Sequence, residues 1–309
     1  MTRFTKPWLG AVCLLAIGAV GALITDSRPE RPVVHRGEYR LLEGDFHAHT
    51  TFSDGMLSPI TIVRQADRRG LDVLGVTEHN TTIAGKIARA YSNATNGPII
   101  VVGEEVTAGK YHLITLGLKE TVSASQPLSK VIEDVHAQGG VAIAAHPVKR
   151  FWPALVPVRP DLDGTEVMHP LAFNQRSSGW RWEEMLEYEK NAEKPLSPIG
   201  SSDYHFASLL GICRTLLFVK EPANEAAVVD AIRDRKTVVI DRDGAFHGDP
   251  ALVALLEKEP YTPRTSDYGY NGENGADRAF RTLGWFGLLG VVLFRARRRD
   301  DDAAAANAT

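Results

Sequence analysis

An apolar stretch ends in Asp45-Phe46-His47-Ala48-His49, with Ser53-Asp54-Gly55 shortly after, and Ser202-Asp203-Tyr204-His205 repeats the same i, i+2 spacing much later in the chain. Alternate residues of an extended strand end point to one side, so His47 and His49 are placed to chelate a single ion. Other apolar runs end in similar residues. Glu78-His79 follows LDVLGVT, Glu104-Glu105 follows IIVVG, His146 follows VAIAA, Glu166 and His169 flank VM, and His112 stands in YHLITLGL. A lone His is more often structural than a ligand, and His35, His136 and His247 are read as structural. The recurrence of ligand types at successive strand ends is what points to a metal site. Ten His beside only two Cys in 309 residues exclude a Cys-rich zinc module and a disulfide framework. Imidazole and carboxylate together suit Zn, Mn or Fe better than Ca or Mg.

These residues need a frame that brings strand ends together. Between residues 41 and 247, continuous apolar runs of the kind found in strands buried on both faces alternate with helical segments. Ser58-Pro59 starts one helix, with Ile60, Val63 and Ala66 at threefold spacing before Gly70. Pro127 opens a second, and residues 225–236 form a third. Seven or eight such strands predict an α/β fold, a TIM-like (β/α) barrel, with a doubly wound open sheet as the alternative. In a barrel the chemistry lies at the carboxyl ends of the strands. Lys149, Arg150 and Arg214 follow ligand positions closely and are candidates to hold an anionic group such as a phosphate. The stretch between Lys149 and Asn191, carrying Trp152, Trp180 and Trp182, is a candidate aromatic lid. The net charge of -3 removes the broad attraction on which non-specific nucleic-acid binding rests, and no strong binding of that kind is expected.

The two ends read differently. The uncharged run from Pro7 to Thr25, preceded by Arg3 and Lys6, predicts a signal peptide or membrane anchor within residues 1–32. Residues 248–281 read as a flexible linker, most evidently from Tyr261 to Asp277. Residues 282–299 form a short apolar tail closed by an Arg cluster, either a marginal second span or a sorting tail, and the final AAAANAT reads as disordered. Both termini then place the catalytic domain outside the cytoplasm, tethered to the cell membrane or envelope.

The series DFHAHTTFSDG, TEHN, GEEVT, YHLITLGL, AAHP and GSSDYH, in this order and spacing, resembles the PHP family, named for the polymerase and histidinol phosphatase domain. The resemblance covers about residues 41 to 247. It implies a distorted (β/α)7 barrel, two or three divalent transition-metal ions (Zn, Mn or Fe), and hydrolysis of a small phosphorylated substrate by a metal-activated hydroxide. By the same resemblance His47 and His49 hold the first ion, with Glu105 and Asp203 completing or bridging it. Glu105, His112 and His146 hold the second, and Asp54, His79 and His205 a third. Asp203, Glu105 and His146 are thereby the expected catalytic residues, and the family's Gly-x-Glu pattern selects Glu105 over Glu104. Glu78 departs from the pattern, which usually has Asp before this His. The alternatives are an inactive metal-binding or interaction module, which should have lost several ligands, a phosphodiesterase acting on nucleotides, and amide hydrolysis, which usually needs a strand-end Lys that is absent here. Neither the general acid nor the oligomeric state is read from the sequence; His169 and Glu166 are only suitable neighbours.

Overall fold

The computed structural model describes residues 6–25, 32–173, 179–206, 208–261 and 275–306. The chain divides into two compact units. One comprises residues 29–268, and the other comprises residues 1–28 with 269–309.

In the larger unit the elements run β1 (Val34–Arg36), β2 (Tyr39–Asp45), α2 (Pro59–Arg68), β3 (Val73–Val76), α3 (Ile83–Thr95), β4 (Ile99–Ala108), β5 (Tyr111–Leu116) and α4 (Leu128–Ala137). They continue with β6 (Val141–Ala144), α5 (Trp152–Leu155), β7 (Gly164–Met168), α6 (Trp182–Lys190), β8 (Ser197–Gly200) and β9 (Thr215–Val219). The last are α7 (Glu225–Arg233), β10 (Thr237–Ile240), β11 (Phe246–Gly248) and α8 (Pro250–Lys258). The strands form one mixed, barrel-like sheet in the order β11-β10-β9-β2-β3-β4-β5-β6-β7-β8, with β1 paired to β2. Between β8 and β9 the Thr215 hydroxyl completes the closure, accepting from Gly200 N–H at 2.9 Å and donating to Gly200 C=O at 3.0 Å.

The sheet departs from an all-parallel barrel for a local reason. Only Gly109 and Lys110 separate β4 from β5, too few residues for a crossover, so β5 returns antiparallel to β4. His112, at the start of β5, thereby lies at the same rim as the carboxyl end of β4. Inside the sheet Leu42, Val73, Val101, Ile143, Ile199 and Leu217 pack together, fully or almost fully buried. The helices form as their caps direct: Ser58 accepts from Thr61 N–H at α2, and Asn224 accepts from Ala227 N–H at α7. Residues 250–258, within the expected linker, are the helix α8, capped by Asp249; Leu252 and Leu256 pack on Leu41, Phe218 and Val238. Residues 262–274 of that linker, and 307–309 of the expected disordered tail, lie outside the described residues.

The smaller unit holds α1 (Lys6–Thr25) and α9 (Gly275–Ala306). The membrane segment expected at the N-terminus, and the marginal span expected near the C-terminus, are corrected here: among the described residues no helix is long and apolar enough to cross a membrane. Gly18 and Gly21 of the α1 run serve a contact between the two helices. A Cβ at Gly18 would stand 2.2 Å from the Gly284 nitrogen, and one at Gly287 2.2 Å from the Leu15 nitrogen. Hydropathy counts such residues as lipid-seeking, whereas their use here is close backbone approach.

Candidate metal centre

Two extended segments form the floor of the site. Beyond β2 the chain continues through His47 and His49, and beyond β8 through Asp203 and His205. Ala48 and Tyr204 form a parallel bridge, secured by His49 N–H to Tyr204 C=O at 2.9 Å and Tyr204 N–H to His47 C=O at 3.2 Å. The two i, i+2 motifs therefore lie side by side. Asp45, fully buried, links them by accepting from Ser202 N–H at 3.0 Å and Gly211 N–H at 2.7 Å. A second parallel bridge joins His79 to Glu105.

The ligand-type atoms converge in three overlapping groups, each with its atoms within 4.8 Å of one another: His47, His49 and Asp203; His47, Glu105 and His146; and His49, Asp54, His79 and His205. His47 Nε2 lies 3.2 Å from Asp203 Oδ1 and 3.4 Å from Glu105 Oε1. His146 Nε2 and His112 Nδ1 approach Glu105 Oε1 at 3.2 and 2.8 Å. His205 Nε2 and His79 Nε2 approach the two oxygens of Asp54 at 3.2 and 3.4 Å. Glu105 and His47 are buried at the bottom, whereas Asp54 is half-exposed at the mouth.

The electrostatics fit a site built around cations. Burial alone would push His47 down, but the surrounding Asp203, Glu105 and Glu166 carboxylates outweigh it and raise it well above the usual imidazole range. Burial would raise Glu105 and Asp203, yet the imidazoles around them hold both well below the usual carboxylate range. A positive charge is thus demanded at the bottom of the site, and a bound cation would supply it. His47 Nε2 and His49 Nε2, both buried, have no hydrogen-bond partner. Buried orphan nitrogens facing anionic oxygens are what ligands of a divalent ion look like without the ion, so the residues fit the metals that the sequence implies.

The structure distributes the other candidates as follows. Lys149 Nζ pairs with Glu187 at 3.1 Å, and the Arg150 guanidinium lies over the Phe151 ring. Arg214, expected near a phosphate, is turned away from the cluster. Its side chain is 2% exposed and is held by Glu43 at 2.5 Å and by the carbonyls of Gly211 and Arg69. Of the three Trp in the supposed lid, Trp182 is buried and donates to Val167 C=O, and Trp152 packs on Tyr188. Trp180 does reach the site, its ring 5.0 Å from that of His146, and Phe151 stacks on His112 at 5.0 Å. Residues 174–178 of this stretch are outside the described residues.

No family model matches the chain. An uncharacterised protein of Methanocaldococcus jannaschii is 30% identical over 141 residues, 41% of this chain and 82% of that protein. A phosphoribosyl 1,2-cyclic phosphate 1,2-diphosphodiesterase of Eggerthella lenta is 35% identical over 100 residues, 30% of this chain and 38% of that enzyme. A solved Bacteroides vulgatus two-domain protein containing a predicted PHP-like metal-dependent phosphoesterase superposes with a TM-score of 0.59 at 21% identity, covering 75% of this chain and 74% of that one, a likeness of fold. The chain belongs to the PHP family.

Three residues of this PHP site have contacts that motif reading did not assign. Glu78, the departure from the family pattern, accepts from Thr50 N–H at 2.7 Å and from the Ser53 hydroxyl, and so ties down the loop that carries Asp54. His169 Nδ1 accepts from Leu171 N–H at 3.2 Å, which leaves Nε2–H facing Asp203 Oδ2 at 3.3 Å. Glu166 lies behind His47. A usable signal was present for the last two: Glu166 lies within the β7 run and His169 directly follows it, at the rim that carries the ligands.

Proposed function

We propose that the chain is a metal-dependent phosphoesterase that binds two or three ions of Zn, Mn or Fe at this site. The observation that carries the reading is the convergence of nine His, Asp and Glu side chains from several strand ends on one carboxylate-rich site, buried at its bottom and open at its mouth. When bound, such ions lower the pKa of an attacking water and neutralise the charge of a phosphoryl group. Glu105 and Asp203 lie between the His47 and His49 rings and the remaining ligands, the positions from which a carboxylate can serve two ions. Their low pKa keeps them ionised at any working pH. Trp180, partly exposed beside His146, walls one side of the mouth on the second-ion side and would exclude water and contact the organic part of the ester, while Phe151 is buried beneath it against His112. His169, with its Nε2–H turned toward Asp203, is a donor rather than a base in this arrangement.

The relatives' names favour a diester as substrate, since the Eggerthella lenta enzyme is named as a diphosphodiesterase. The test measures bound metal by elemental analysis on the purified full chain and compares p-nitrophenyl phosphate with bis-p-nitrophenyl phosphate as substrates, with Mn²⁺ or Zn²⁺ added. Turnover that depends on metal and is lost in His47→Ala and Asp203→Ala is expected. Less than one ion per chain, or activity unchanged in both variants, would sink the proposal. The ratio of the two rates decides between monoester and diester.

A further inference from the structure

Glu166 is fully buried on β7 and belongs to none of the three ligand groups, yet it touches three of the strand ends that form them. One oxygen, Oε1, lies 3.0 Å from His47 Nδ1 and also accepts the Ser201 hydroxyl, two residues before Asp203. The other, Oε2, accepts the backbone N–H of His146. A carboxylate can only accept, so all three partners must donate. For His47 this means that the ring proton sits on Nδ1 and the Nε2 lone pair faces Glu105 and Asp203. We infer that Glu166 is the positioning residue that fixes the His47 tautomer and so makes its Nε2 a ligand. The inference rests on the metal-centre reading of this site.

The geometry makes Gln at 166 a discriminating substitution. Gln has the same shape but replaces one oxygen by an NH2 group. With the NH2 at the Oε2 position it would meet the His146 N–H, a backbone donor that cannot reverse. With the NH2 at the Oε1 position, Ser201 can rotate its hydroxyl to accept, and His47 can accept only by moving its proton to Nε2. The second arrangement satisfies every buried group, so it is the one adopted, and it caps the ligand nitrogen with hydrogen. His146 raises the stakes: its backbone is left-handed at φ 26°, and the Glu166 carboxylate holds the N–H of that turn. The group His49, Asp54, His79 and His205 has no contact with Glu166, so the loss should be selective.

The experiment uses the full chain, stripped of metal and titrated with Zn²⁺. Wild type, Glu166→Gln and Ser201→Ala are compared for ions bound per chain, for Kd, and for the thermal midpoint of the ion-free form. Loss of an orienting carboxylate at a metal-bound His typically weakens binding about 10–100-fold. Expected is a loss of this size or more for one ion in Glu166→Gln, with the remaining binding kept, and a change below about threefold in Ser201→Ala. An unchanged Zn²⁺ titration in Glu166→Gln would overturn the inference, whereas absence of binding in wild type would overturn the metal-centre reading instead. Should Glu166→Gln fail to fold, nitrogen-15 imidazole spectra of zinc-loaded wild type decide. His47, assigned by the peak lost in His47→Gln, must show a protonated Nδ1; coordination through Nδ1 refutes the proposal.

Discussion

Replacing Arg214 by Met separates a structural cation from a substrate-binding one. The Arg214 side chain is 2% exposed, and Glu43, its partner at 2.5 Å, is fully buried and also takes the hydroxyl of Tyr261. Removing the guanidinium takes a charged partner from the buried Glu43 carboxylate, and donors from the carbonyls of Arg69 and Gly211. Breaking one side of a buried ion pair costs about 3–5 kcal/mol. At roughly 2–4 °C per kcal/mol for a domain of this size, the thermal midpoint should fall by about 6–20 °C. Glu43→Leu together with Arg214→Met removes both charges and should recover a large part of the loss, since a well-packed apolar pair often replaces a buried ion pair at little cost. Urea unfolding of the three variants measures the stabilities, and inhibition of ester hydrolysis by inorganic phosphate measures anion binding. The phosphate inhibition constant of the single variant should stay within about twofold of wild type. A variant of unchanged stability with a tenfold weaker phosphate constant would refute the structural assignment and return Arg214 to the substrate.

Three further outcomes are expected. Burial raises Glu104 to about 7 against the lowering effect of the Val122 N–H that donates to it, so folding favours its protonated form. Its contribution is fully present below pH 4.5 and is lost as pH rises through about 7, by at most roughly 3 kcal/mol, so the stability of Glu104→Gln should fall less over that window in urea titrations. Glu78→Ala should free the loop that carries Asp54 and weaken the most exposed ion about tenfold, while Glu78→Gln, which can still accept from Thr50 and donate to Ser53, should stay near wild type; isothermal titration with Mn²⁺ reads both. Chelation should lower the thermal midpoint in calorimetry, because an ion at a hundred times its Kd adds about 2.7 kcal/mol to the folded state, and added Zn²⁺ or Mn²⁺ should restore it.

What the sequence discloses about this site is local, and what it hides is distant. His47 with His49, and Asp203 with His205, are readable because alternate residues of an extended segment share a side, and the chain brings the two segments together by a backbone bridge. The barrel-like sheet is readable from runs buried on both faces. Its antiparallel return was marked only by Gly109-Lys110, a turn too short for a crossover. The cap Asp249 with Pro250 announced α8 in the same way, inside a stretch whose polar remainder reads as linker. Arg214 could not be placed, since nothing near it in sequence reveals Glu43, 171 positions away. The N-terminal run misled for a related reason. Mean hydropathy does not distinguish Gly and Ala that face lipid from Gly and Ala that admit a neighbouring backbone, and Gly18 does the latter against Gly284.

Backbone geometry shows why ligand types and turns coincide. His146 and Asp203 both follow short, fully buried strands, β6 and β8, and both take left-handed backbone, at φ 26° and 44°. Asn80, directly after His79, does so at φ 54°. A chain leaving a parallel strand must turn sharply if its next side chain is to face the barrel mouth rather than continue outward. Glycine would turn more easily but has no ligand to offer. Asn, Asp and His are the residues that both tolerate this region and carry polar atoms. The residual strain is held locally: Asn80 N–H donates to Glu105 C=O, Tyr204 N–H after Asp203 donates to His47 C=O, and His146 N–H is held by Glu166. Each turn is therefore fixed by a residue that carries, adjoins or orients a ligand. Ligand placement and turn geometry are two aspects of one set of hydrogen bonds, and a substitution at Glu166, which holds both the His47 ring and the His146 turn, acts on both.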